Sequence, residues 1–154
     1  LIVFFGFNIS NSGKRVKKDD GKALINWVHS ALKLSDYNLK QCLFGLHLLS
    51  ETKKQVAIVE SEKTAIIMSL EFQDYTWMAT GSFKGFKYEY LSPLKNYEII
   101  AFPDKGCYDE WTKVADDLND VGFNIRVSSL LENNEFSEGW DLEDILKIEP
   151  VNNT

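Results

Sequence analysis

Residues 56–65, VAIVESEKTA, constrain the fold more than any other stretch of this chain. Four apolar residues, Val56 to Val59, run directly into Glu60, and the helix-like SEKTAIIMSL follows at once. The pattern returns in EIIAFPDKG, where Ile99 to Phe102 run through a proline into Asp104. Strands are ordinarily bounded by turn residues rather than by a lone acid. Two apolar strands that each deliver a carboxylate at their carboxyl end put those acids on the edge where ligands bind in an open α/β sheet.

The alternation continues through the second half of the chain. Strands are expected at Val56–Val59, Tyr75–Thr80, Tyr97–Phe102 and Phe123–Val127. Helices are expected at Ser61–Leu70, with Ala65, Ile66 and Leu70 sharing a face, and at Cys107–Asn119, with Trp111, Val114, Ala115 and Leu118 as its apolar stripe. A short helix over Asp141–Lys147 turns Leu142, Ile145 and Leu146 inward. Strands alternating with helices imply parallel pairing and right-handed crossovers. The expected class is therefore α/β, a mainly parallel sheet flanked by helices.

The first 54 residues are less regular and form a small α+β segment leading into that core. LIVFFGFNI, 1–9, has the composition of a strand, and NSGKRVKKDDGK, 11–22, is a polar turn region. ALINWVHSAL, 23–32, suits a strand or a helix equally. Residues 34–54 are expected to hold a helical turn, a short strand around Gln41 to Phe44 and a helix ending near Lys54. The domain is drawn as 55–149, followed by a tail over 150–154.

Composition narrows the function classes. Apolar residues make up 44% of the 154 and aromatics 13%, enough for a packed core. A net charge of −6 argues against a basic sheath around nucleic acid, though not against nucleotides held through a divalent ion. Two cysteines, Cys42 and Cys107, are too few for a disulfide scaffold or a zinc site and suit a reduced, cytoplasmic protein. His29 and His47 form no metal-binding pair and are taken as core or boundary residues. No apolar run approaches a membrane span, and LIVFFGF lacks the basic leader of a signal peptide, so no membrane partner is expected. A chain opening without Met is expected to be a piece of a longer protein.

Glu60 is either an acid at a helix N-terminus, favoured by the helix dipole, or a metal ligand or general base. Asp104 lies in PDKG, ordinary turn chemistry. If their strands are neighbours, both carboxylates reach one small volume, and like charges that close need a cation or a proton between them. Mg²⁺ suits such a place, because it takes one or two carboxylates and keeps waters for phosphate oxygens. In GWDLEDIL, Asp141 is well placed as an N-cap with Asp144 at capping-box distance, and a capping acid can still face the cleft. TGSFKGF, 80–86, lacks the spacing of a P-loop and is expected to be a plain loop. Lys63 either meets a phosphate or pairs with Glu60 or Glu62. The tryptophans, Trp27, Trp77, Trp111 and Trp140, are too evenly spread for a base-stacking platform.

Taken in order, VAIVESEKTA, WMATGSFKGF, EIIAFPDKG and GWDLEDIL resemble the toprim domain shared by primases, topoisomerases and related nucleases. The likeness covers roughly residues 40–149 and is strongest to primase-like toprim proteins of conjugative and other mobile elements. It implies a toprim-like, Rossmann-like fold and phosphoryl (nucleotidyl) transfer on DNA or RNA with Mg²⁺ or Mn²⁺. It also implies nucleotides and replication or mobilisation proteins as partners. In the first motif, Glu-Gly-x-x-Asp-Ala, Glu60 and Ala65 match while Ser61 and Thr64 replace Gly and Asp. The acid–base role of that Glu passes to Glu60. In the second, Asp-x-Asp, Asp104 matches the first metal ligand and Gly106 replaces the second. Asp141 or Asp144 would supply the missing carboxylate, with Asp109 a further candidate. Lys63, Lys84 and Lys105 are the cations expected to meet phosphates. The loss of the second Asp keeps two other outcomes open, a binding module without activity and a small metal-dependent nuclease.

Overall fold

A computed structural model describes residues 5–7, 16–21, 24–35, 40–50, 52, 55–133 and 135–146. The outer ends of the expected first strand, residues 11–15 and 22 of the polar turn region, the end of the helix expected to close near Lys54, the last residue of the Asp141–Lys147 helix and the 150–154 tail lie outside them. The chain divides into two compact units, 1–41 and 42–154.

In the first unit, β1 (Phe5–Phe7) pairs antiparallel with β2 (Ile25–Trp27), and β2 runs directly into α1 (Val28–Ala31). The ambiguous apolar stretch 23–32 is thus strand and helix in succession. The second unit starts upstream of the pattern change near residue 54. Leu43 is buried, and Phe44 forms an antiparallel bridge with Ala79. The helix expected to end near Lys54 is, among the described residues, a single 3₁₀ turn at Leu46–Leu48. Gly45 precedes it at φ +82, where a Cβ would lie 2.7 Å from the Trp77 carbonyl oxygen. Only glycine accepts both that backbone and that approach.

The core of this unit alternates strand and helix. β3 (Gln55–Val59), α2 (Glu62–Glu71) and β4 (Thr76–Ala79) come first. A 3₁₀ turn at Phe83–Gly85, α3 (Tyr88–Leu91) and a 3₁₀ turn at Ser92–Leu94 then lead to β5 (Glu98–Ala101). α4 (Tyr108–Asp120), β6 (Asn124–Val127) and α5 (Leu142–Leu146) follow. The four strands form one sheet in the order β4-β3-β5-β6, and every pairing is parallel. The fold is α/β and Rossmann-like.

Both faces of the sheet are covered, which is why its strands are continuous apolar runs. Val56, Ile58, Met78, Ile99 and Ala101 pack on Trp111, Ala115 and Leu118 of α4. Ala57, Val59, Trp77 and Ala79 pack on Ala65 and Met68 of α2 and on Leu142 of α5. The two long helices therefore lie on opposite faces. On α2 the buried positions are Thr64, Ala65 and Met68, while Ile66 and Leu70 are 51% and 67% exposed. Of the expected face, Ala65 packs as read, while Ile66 and Leu70 do not. Among the described residues no helix is long and apolar enough to cross a membrane.

Candidate acidic site at the strand tips

The strand order makes a switch point. From β3 the chain crosses by α2 to β4 at one side, then returns past β3 to β5, whose own helix α4 covers the other face. At such a point the connections diverge and leave a crevice outside the carboxyl ends of the strands. Glu60 and Asp104 follow β3 and β5 directly into it. Ile58 pairs with Ala101, and the ladder runs one step further through the Phe102 N–H to the Ile58 carbonyl (2.8 Å). Buried Pro103 has no N–H to continue it, so the chain turns and Asp104 sits beside the Glu60 tip.

Asp104 is half-buried, and its carboxyl is pushed up to about 7. Burial contributes most, followed by the charges of Glu60, Asp141 and Asp144. The same surroundings raise the Cys107 thiol above its ordinary value, burial first, then Glu60, Asp104, Glu110 and Glu132. Asp141 and Asp144 reach the site while capping α5. Asp141 Oδ1 accepts from the N–H groups of Glu143 (2.9 Å) and Asp144 (3.3 Å), and Asp144 Oδ2 accepts from the Asp141 N–H (3.2 Å). The capping box and the approach to Asp104 are thus both present.

Gly106 has a local reason to be glycine. The Cys107 N–H closes a turn on the Asp104 carbonyl (3.0 Å), with Gly106 at φ +87 in its third position. Lys105 keeps a negative φ, so the turn is of type II, whose third position takes positive φ. A Cβ there would also stand 2.7 Å from Glu138 Oε2, and the Gly106 N–H donates to Glu132 Oε1 (3.1 Å). Two glutamates of the 132–138 segment thus surround the backbone where the second motif acid would project.

Among the described residues no three His, Cys, Asp or Glu side chains are grouped closely enough to cage an ion. The donor chemistry suits a hard ion held by one or two carboxylates and its own waters, as Mg²⁺ is commonly held. It does not suit a cage made wholly of protein ligands.

Residues 5–105 match the model of a family described as a domain of unknown function, DUF6371. The chain belongs to this family. No curated protein and no solved structure matches it. The DUF6371 match takes in Glu60 and Asp104 and ends before Asp141 and Asp144.

The other candidate residues of this DUF6371 chain are dispersed. Lys63 forms an ion pair with Glu143 Oε2 (2.8 Å), not with Glu60 or Glu62. Lys105 is bound to the 133–140 segment: its N–H donates to the Trp140 carbonyl (2.9 Å) and its Nζ to the Asn133 carbonyl (2.8 Å). Lys84 is exposed in the 3₁₀ turn after β4 and lines a groove of about 410 Å³ with Phe83, Phe86 and Trp111. Asp109 is exposed in the first turn of α4 and is not among the charges acting on Asp104. His47 is exposed and His29 half-buried, so His47 is a surface residue rather than a core one. A cavity of about 540 Å³ lies at the amino end of β4 and is lined by none of these acids. Sequence reading passed over Cys107, Glu132 and Glu138. None carries a motif; the turn at Gly106 places Cys107, and the returning 130–146 segment brings Glu132 and Glu138 to that turn.

Proposed function

We propose that the carboxyl edge of the parallel sheet is a phosphoryl-transfer site acting on nucleic acid with Mg²⁺ or Mn²⁺, as the toprim resemblance implies. The position of Asp104 carries the reading. It stands at the switch point, where burial first, and then the charges of Glu60, Asp141 and Asp144, raise its carboxyl to about 7. Charges so crowded favour a cation or a proton among them. A bound divalent ion would supply charge neutralisation at a phosphoryl group. Asp104 is the main carboxylate for it, Asp141 or Asp144 the auxiliary one, and Glu60 the acid–base group. On this reading the protein is cytoplasmic and of the primase type found in mobile elements. Its partners are DNA or RNA, nucleotides, and replication or mobilisation proteins.

Calorimetric titration of Mg²⁺ and Mn²⁺ into the protein and into Asp104→Asn tests it, with and without DNA. Saturable binding by the wild type that disappears in the variant is expected. Binding should weaken as pH falls below about 7, because protons then compete for Asp104. Equal binding by both proteins removes Asp104 as the ligand. No binding by the wild type, even with DNA present, removes the metal-dependent reading. Where binding holds, primer synthesis would require template and nucleotides, whereas a nuclease would cut with the ion alone.

Gly106 favours a second reading, a toprim-like module that binds nucleic acid or a replication partner without catalysis. Its turn leaves no place for the second motif acid without displacing Glu138. Nucleic-acid binding that is indifferent to Mg²⁺ and to Asp104→Asn would select it.

A further inference from the structure

Thr64 is 1% exposed and lies on the face of α2 that packs toward α5. A threonine hydroxyl inside a helix commonly turns back to the carbonyl four residues before it. Here that carbonyl belongs to Glu60 and already accepts the Gly81 N–H (2.9 Å). The Thr64 hydroxyl points outward instead and donates to Asp141 Oδ2 at 2.9 Å. Capping of α5 occupies only Oδ1 of Asp141. The bond from Thr64 therefore fixes the second oxygen, and the carboxylate is held from two helices at once.

We infer that Thr64 is a positioning residue: its hydroxyl sets the orientation of the Asp141 carboxylate beside Asp104, and so the spacing of acids offered to a divalent cation. The inference rests on the cation-binding reading for its consequence, but the fixing of Asp141 stands without it. A cap alone leaves a carboxylate free to pivot about the oxygen it uses. The second bond, made across the gap between the two helices, removes that freedom. Partners that orient metal ligands in this way typically control affinity by about 10–100-fold.

The test uses the full chain with Thr64→Val, which removes the hydroxyl at nearly constant volume, and Thr64→Ser, which retains it. Two readouts are taken. The first is the side-chain rotamer distribution of Asp141, from three-bond NMR couplings in metal-free protein. The second is Mn²⁺ affinity by calorimetry. Rotamer averaging of Asp141 and at least about tenfold weaker Mn²⁺ binding in Thr64→Val, both restored in Thr64→Ser, are the expected results. An unchanged Asp141 rotamer in Thr64→Val overturns the inference, as does unchanged Mn²⁺ affinity with a mobile Asp141. If the wild type binds no Mn²⁺ while Asp141 is still freed in Thr64→Val, the cation reading fails and the positioning of Asp141 survives. Should Thr64→Val not fold, Thr64→Ala is read by the same two criteria.

Discussion

α2 and α4 cover opposite faces of one sheet and bury different kinds of residue. α4 turns Trp111, Ala115 and Leu118 inward, as its apolar spacing requires. α2 buries Thr64, Ala65 and Met68 and leaves Ile66 and Leu70 outside. On a helix of 3.6 residues per turn, positions 64 and 68 lie nearly opposite 66 and 70. Apolar residues lie on both sides of α2, so apolarity alone chooses neither face. The difference shows that α4 is oriented by apolar packing on the sheet and on Phe86, whereas α2 is also oriented by a polar bond to α5, through Thr64 and Asp141. One helix supports the fold, and the other carries part of the acidic site.

The largest effect should come from the supporting helix. Trp111 is 1% exposed and stacks on Phe86 with centroids 4.3 Å apart and planes 5° from parallel. Trp111→Ala should cost about 3–5 kcal/mol in urea unfolding, the usual range for removing a buried aromatic. A loss under about 1 kcal/mol would mean that α4 is not the support described here.

An opposite sign is expected at the site. The Asp104 carboxyl is raised from 3.8 to about 7, so the folded protein holds a proton there that the unfolded chain has released. Stability is then undiminished below about pH 4, falls as pH rises from about 4 to about 7, and stays reduced above that. Asp104→Asn removes this penalty. In chelator it should stabilise the protein by about 1–2 kcal/mol above pH 7, after discounting for the partial solvation of the carboxylate. The gain should vanish near pH 4. A variant that is destabilised at about pH 8 would show that Asp104 serves the fold rather than the site.

These two positions also show what was legible. The strand run into Glu60, the strand run into Asp104 and the stripe of α4 were all visible as apolar pattern, because burial on the sheet is what sets that pattern. The pairing of β3 with β5 was not legible, because the hand of a crossover does not choose which strands become neighbours. Thr64, Glu132 and Glu138 were not legible as a group. Their meeting with the strand tips depends on where segment 130–146 returns, and no local spacing encodes that return. The partner of Lys105 was hidden for a related reason. Its ammonium donates to the Asn133 carbonyl, an acceptor 28 residues away that no turn motif announces.

The smallest effect sharpens the comparison most. Leu70 is the most exposed large apolar residue among those described, at 67%, while Met68, two positions earlier, is 4% exposed. Leu70→Gln should change stability by less than about 0.5 kcal/mol, because it removes little area from contact. Met68→Ala should cost about 2–5 kcal/mol, because it opens a cavity against Trp77 and Ala79. A pattern-based reading of α2 expects the reverse order, since it places Leu70 on the buried face. Near-neutral Leu70→Gln beside a costly Met68→Ala would show that α2 buries its Thr64 and Met68 side and leaves Ile66 and Leu70 outside. In that orientation the hydroxyl of Thr64 faces α5 and reaches Asp141.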